Sequence, residues 1–208
     1  MLRALFLAPP GAGKGTQGPS LAERYGVPYI ATGDMLREHV ANDTPLGRAA
    51  KEHMDSGGLV PDELVVEMVS GRLARPTPLA GFVLDGFPRT LNQAMAAYEW
   101  GKDHDRTFDA VISLEVPRDE LIRRVQERQR KAGRDDDDLD TFRHRLEVYD
   151  HDTQPLIEFY RDRGILLEIE GTGTVDDIQQ RILGSLAAAG HGVRTQGASG
   201  ADIAPAAS

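Results

Sequence analysis

Five short apolar runs punctuate this chain, at Ala4–Leu7, Pro28–Ile30, Phe82–Leu84, Ala110–Leu114 and Leu166–Ile169. Each is too short for a buried helix, and each predicts a strand. Between them apolar residues return every three or four positions. That spacing predicts helices over Lys14–Tyr25, Gly33–Val40, Leu46–Ser56, Asp62–Ala74, Leu91–Trp100, Arg118–Arg130, Leu139–Arg163 and Val175–Ala189. Short apolar strands alternating with amphipathic helices describe an α/β fold, a parallel sheet covered by helices on both faces. Ligands of such sheets gather beyond the carboxyl ends of the strands. The last stretch, Gly190–Ser208, is rich in Gly, Ala and Ser and nearly uncharged, and we expect it to be a disordered tail.

Two loops at that carboxyl edge carry candidate chemistry. After the first strand comes Ala8-Pro9-Pro10-Gly11-Ala12-Gly13-Lys14-Gly15-Thr16. A glycine-rich turn between a strand and a helix aims backbone N–H groups and a helix N-terminus at one point, which suits a polyphosphate. Lys14 would reach the β- and γ-phosphates, and Thr16 could orient a magnesium shell. The pattern G-x-x-x-x-G-K-[ST] is met only in part, because Ala8 replaces the first glycine and Gly15 separates Lys14 from Thr16. The second loop, Asp85-Gly86-Phe87-Pro88-Arg89, follows the third strand. Its aspartate stands where a phosphate-binding protein places a carboxylate toward magnesium; a plain turn is the alternative.

Arginines supply a third feature. Arg123, Arg124, Arg128, Arg130 and Arg134 precede the acidic run Asp135–Asp138, and Arg143 and Arg145 follow it. Arg124 and Arg128 share a helical face. Either these residues line a solvated helix, or they flank a lid that closes over phosphates. Thr32-Gly33-Asp34-Met35-Leu36-Arg37 follows the second strand; Thr32 or Asp34 could cap a helix, and Arg37 could be a surface residue.

Composition narrows the possibilities. The 208 residues can bury one sizeable core, and a net charge of −9 argues against nucleic acid or a membrane surface as partner. An anionic ligand must then be held by local clusters of arginine. There is no cysteine, so thiolate metal sites and disulfides are excluded. No apolar stretch nears the ~20 residues needed to span a bilayer, and the first strand is too short for a secretory signal, so we expect a cytoplasmic protein. The six histidines show no ligand spacing, and no nucleophile motif appears.

Taken in order, several segments resemble the adenylate kinases of the nucleoside monophosphate kinase group: Pro9–Gln17, Ala31–Arg37, Gly58-Leu59-Val60-Pro61-Asp62, Asp85–Thr90, Gln93 and Arg143-His144-Arg145-Leu146. The resemblance covers residues 1–189. It implies a P-loop NTPase-type five-stranded parallel sheet, an inserted AMP-binding helical segment near 31–60 and a short lid near 127–137. Mg²⁺-dependent phosphoryl transfer from ATP to AMP, giving two ADP, is the implied reaction. By position, Gly11, Ala12, Gly13, Lys14, Gly15 and Thr16 would wrap the ATP phosphates, with Arg124, Arg128 and Gly173 also on the ATP side. Thr32, Arg37, Gly58, Leu59, Val60, Gly86, Phe87, Pro88, Arg89, Gln93, Arg134 and Arg145 would form the AMP site. Lys14, Arg89, Arg128, Arg134 and Arg145 would serve the transfer itself, and Asp85 would anchor magnesium through water. The resemblance further implies a monomer acting on ATP, AMP and ADP, with no zinc site. Specificity stays open at this point: a UMP or CMP kinase, or GTP as donor, fits most of the same residues, with Thr32 favouring the adenylate type. A slow GTPase-like switch is disfavoured, because Asp55-Ser56-Gly57-Gly58 has no strand ahead of it and no N-K-x-D follows. Two departures stand out. Ala8 requires that its φ stay negative, and Gly18 stands where alanine is common.

Overall fold

The computed structural model describes residues 1–74, 81–132 and 139–193. Residues 133–138, which hold Arg134, the acidic run and the second part of the expected lid, lie outside that range, as do 75–80 and 194–208. Five strands form one parallel sheet in the order β2-β3-β1-β4-β5. They are β1 (Arg3–Leu7), β2 (Tyr29–Ala31), β3 (Phe82–Asp85), β4 (Ala110–Glu115) and β5 (Leu166–Glu170). The fold is therefore the expected α/β architecture, and each strand lies within two residues of its predicted place.

Nine helices flank the sheet among the described residues: α1 (Lys14–Tyr25), α2 (Thr32–Ala41), α3 (Pro45–Asp55), α4 (Asp62–Ala74), α5 (Leu91–Asp103), α6 (Arg118–Ala132), α7 (Leu139–Val148), α8 (Leu156–Arg161) and α9 (Val175–Ala188). None of them is long and apolar enough to cross a membrane. Strand register sorts the side chains into two layers. Ala4 and Phe6 of β1 share a face with Val83 and Ile112, against Leu21 of α1, Val125 of α6 and Ile182 of α9. Leu5, Leu7 and Val111 face the other way, onto Ala94 of α5 and Leu156 and Tyr160 of α8. A further apolar cluster joins Ile30 and Leu84 to Leu36 of α2 and Val65 and Val69 of α4.

The segment expected as one helix over Leu139–Arg163 is broken. After α7 the chain makes a π-helical turn at Tyr149–Thr153, with the Gln154 N–H donating to the Tyr149 carbonyl at 2.8 Å. Pro155 has no N–H to continue the ladder, and α8 starts afresh behind it. At the C-terminal end, the Tyr25 hydroxyl donates to the His191 carbonyl at 2.6 Å, so the first residues of the expected tail are held against α1.

Candidate active site

The loop from Ala8 to Thr16 leaves β1 and turns into α1 through two glycines at positive φ, +82° at Gly11 and +102° at Gly13. A Cβ on Gly11 would also stand 3.2 Å from Val125 and 3.3 Å from the Leu121 carbonyl, so α6 presses against the loop from behind. In front of Gly15 there is open space. Helix α1 begins at Gly13 without a side-chain cap; the Thr16 N–H donates to the Gly13 carbonyl at 2.9 Å, and the Lys14 and Gly15 N–H groups ahead of it are the ones left for a ligand. Ala8 takes no positive φ, so its replacement of glycine brings no backbone strain.

Lys14 folds back on this loop, its ammonium donating to the carbonyls of Ala8 at 2.7 Å and Pro9 at 3.1 Å. Burial lowers its pKa to about 8; Arg89, Arg145 and Arg128 push the same way, and Asp85 opposes them. Four cations and one carboxylate thus converge on one volume at the carboxyl edge of the sheet. Burial, with Arg145 and Arg37 nearby, likewise lowers the Arg89 pKa.

Asp85 closes β3 at the centre of this group. Its Oδ2 accepts a hydrogen bond from the Tyr29 hydroxyl at 2.9 Å, and its backbone carbonyl accepts one from Thr32 at 2.8 Å. Its Oδ1 is buried and has no hydrogen-bond partner among the described residues. An orphaned, buried carboxylate oxygen among cations fits a water of a magnesium shell. Among the described residues no group of three or more His, Cys, Asp or Glu is gathered for direct metal ligation.

The loop after β3 is braced from both sides. Gly86 has a φ of +83°, and a Cβ there would approach Arg89 at 3.2 Å and Thr32 at 3.5 Å. Arg89 donates from Nε to the Gly86 carbonyl at 2.9 Å and from its backbone N–H to Gln93 Oε1 at 2.8 Å. Gln93 in turn donates to Asp62 at 2.7 Å, and Thr90 donates to the other Asp62 oxygen at 2.9 Å. Phe87 and Val60 are buried in the α4 core, whereas Gly58 and Leu59 are half-buried at the turn after α3. That turn meets α7, since a Cβ on Gly57 would lie 3.2 Å from both Arg145 Cγ and Thr141 Cγ2. Helix α2 starts at Ala31 with no side-chain cap; Asp34 sits inside the first turn and pairs with Arg37 at 2.5 Å instead of capping.

The arginines of α6 divide. Arg124 reaches inward, donating to Ala12 O at 3.2 Å, Gly171 O at 2.8 Å and Glu120 at 2.7 Å, so it ties the phosphate loop to the loop after β5. Arg123 points outward to Glu120 and Glu127, and Arg143 pairs with Asp140. In the loop after β5, Gly173 has a φ of +102°, and a Cβ there would meet Asp177 at 3.1 Å.

The family model for adenylate kinase matches residues 6–165 of this chain. The chain belongs to the adenylate kinase family. An adenylate kinase of Leptospira biflexa serovar Patoc is 46% identical over 186 residues, covering 89% of this chain and all of the relative. One from Clavibacter michiganensis subsp. michiganensis is 45% identical, covering 93% of this chain and 96% of its own length. One from Archaeoglobus fulgidus is 44% identical, covering 87% and 96%.

Against this family background, the residues that sequence reasoning passed over are supports. Tyr29 holds Asp85, Asp62 anchors Thr90 and Gln93, and Thr153 of the π-helical turn donates to the Arg89 carbonyl at 2.8 Å. Gln17 joins α1 to α9 by donating to Val175 O at 3.0 Å.

Proposed function

We propose that this chain catalyses the reaction its relatives are named for, reversible transfer of the terminal phosphoryl group of ATP to AMP, giving two ADP. The observation that supports this best is the convergence of Lys14, Arg89, Arg128 and Arg145 on one volume with Asp85 as counter-charge. A site so rich in cations, with Lys14 and Arg89 drawn out of water, matches the charge of two nucleotides meeting through their phosphates.

Phosphoryl transfer asks the protein for placement and charge neutralisation, not for a nucleophile. The loop N–H groups of Gly11 to Thr16 would cradle the donor phosphates. Lys14 would exchange the Ala8 and Pro9 carbonyls for phosphate oxygens, regaining the charge stabilisation that burial withholds. Arg124, already bound to Ala12 O and Gly171 O, would keep the loop in shape near Gly173 on the donor side. Magnesium bound with ATP would neutralise phosphate charge, and Asp85 with Thr16 would hold its water shell. On the acceptor side Thr32, Arg37, Gly86, Arg89 and Gln93, with Gly58, Leu59 and Val60 across the cleft, would receive AMP. Phe87 and Pro88 shape that wall. Arg145, and by resemblance Arg134, would bridge the reacting phosphates. AMP is ionised near neutral pH, so no general base is required. We place the enzyme in the cytoplasm as a monomer, with an AMP-binding segment near 31–60 and, by resemblance, a short lid near 127–137.

The test is ADP formation by the purified protein with Mg·ATP, with and without AMP, UMP or CMP. Rapid ADP production that depends on AMP, with UMP and CMP far poorer, is the expected result. A rate indifferent to AMP would overturn the acceptor assignments.

A further inference from the structure

Helix α1 contains a glycine, Gly18, whose backbone is helical and whose place does not require positive φ. Alanine is the better helix former there. The reason for glycine is space: a Cβ at Gly18 would lie 2.3 Å from Cε2 of Tyr29 and 3.1 Å from its Cδ2 and Cζ. The tyrosine ring lies flush against the helix backbone. From that seat its hydroxyl reaches Asp85 Oδ2 at 2.9 Å, while Oδ1 stays buried and unpartnered among the described residues.

Register makes this reach possible. Tyr29 pairs with Val83, and Ala31 pairs with Asp85, so Tyr29 and Asp85 share one face of the sheet two residues apart.

We propose that Tyr29 is a positioning residue. By fixing one oxygen of Asp85 it holds the other where a water of the Mg·ATP shell donates to it, and Gly18 is the recess that admits the ring. The inference rests on the reading of Asp85 given above.

Five variants test it by calorimetric titration of ATP, with Mg²⁺ and with EDTA, and of AMP as a control. Tyr29→Phe keeps the ring and loses the donor. It is expected to shrink the Mg²⁺-dependent gain in ATP affinity about tenfold, the scale of one hydrogen bond to a charged group. ATP affinity in EDTA and AMP affinity should stay within about twofold of wild type. Gly18→Ala should reproduce that loss by displacing the ring, yet add no further loss in a Tyr29→Leu background, where the clash is gone. Equal losses with and without Mg²⁺, or no loss at all in Tyr29→Phe, would overturn the proposal. Asp85→Asn separates the two readings. If it abolishes the Mg²⁺-dependent gain while Tyr29→Phe does not, only the positioning role falls. If it leaves the gain intact, the reading of Asp85 falls as well.

Discussion

Two groups of cations can be compared in this protein, and Arg123 in one and Lys14 in the other are solvated in opposite ways. On the outer side of α6, Arg123 meets Glu120 and Glu127, and Arg124 shares Glu120. The Glu120 carboxyl is drawn down to about 2, chiefly by its hydrogen bonds from Arg123 and then Arg124. There, acid and base are nearly matched. At the sheet edge Lys14 and Arg89 face Asp85, with Arg128 and Arg145 near enough to act on Lys14, and burial drives the Lys14 ammonium down to about 8. A cation matched by exposed carboxylates is scaffold; Lys14 and Arg89, drawn out of water beside one shared carboxylate, are fitted to receive an anion. Sequence shows the arginines of both groups alike, and only geometry separates them.

The comparison can be broken most forcefully at Lys14. Lys14→Met should lower kcat by roughly 10²–10³, the scale of removing one preorganised charge donor from a transition state, measured by coupled ADP formation. A loss under tenfold would mean that the central cations do not act as a set. Arg124→Ala should fall between the two groups, because its bonds to Ala12 O and Gly171 O shape the loop without belonging to the crowded centre; its kcat loss should be smaller than that of Lys14→Met.

A pH series sharpens the contrast. Lys14 has a lowered pKa in the folded, ligand-free protein and an ordinary one when unfolded. Between about 8 and its ordinary value, the unfolded chain therefore holds more protons, and stability from this group rises with pH. The Tm of the wild type relative to Lys14→Met should accordingly rise from pH 7 to about 9.5, while ATP affinity weakens above about 8 as the ammonium is lost. A Tm difference that stays flat over this range would refute the desolvation of Lys14. The smallest effect belongs to Arg123→Ala, whose exposed pairs should leave the Tm essentially unchanged in thermal denaturation.

Much of the fold was legible because local and global preferences agree. Helix α1 and helix α4 run over the predicted residues, and α1 is bounded by Gly13 and Gly26, both in the left-handed region. The phosphate loop was legible for the same reason. The break inside 139–163 was not, because Phe142, Leu146, Leu156 and Tyr160 keep a helical rhythm while the hydrogen bonding changes beneath it. Pro155 was the visible clue. Tyr29, Asp62 and Thr153 were illegible for a different reason: their partners are 56, 28 and 64 residues away in sequence. Thr32 illustrates the limit from the other side. The sequence marked it, but not that its hydroxyl already donates to the Asp85 carbonyl.

The break after α7 also has a mechanical meaning. Phe142 and Leu146 pack in one layer of the protein, and Leu156 and Tyr160 in the layer across the sheet. The π-helical turn therefore carries the chain from one face of the sheet to the other, starting at Tyr149, about one helical turn after Arg145. The guanidinium's place is thus set by packing in both layers, through Leu146 just after it on one face and Leu156 on the other.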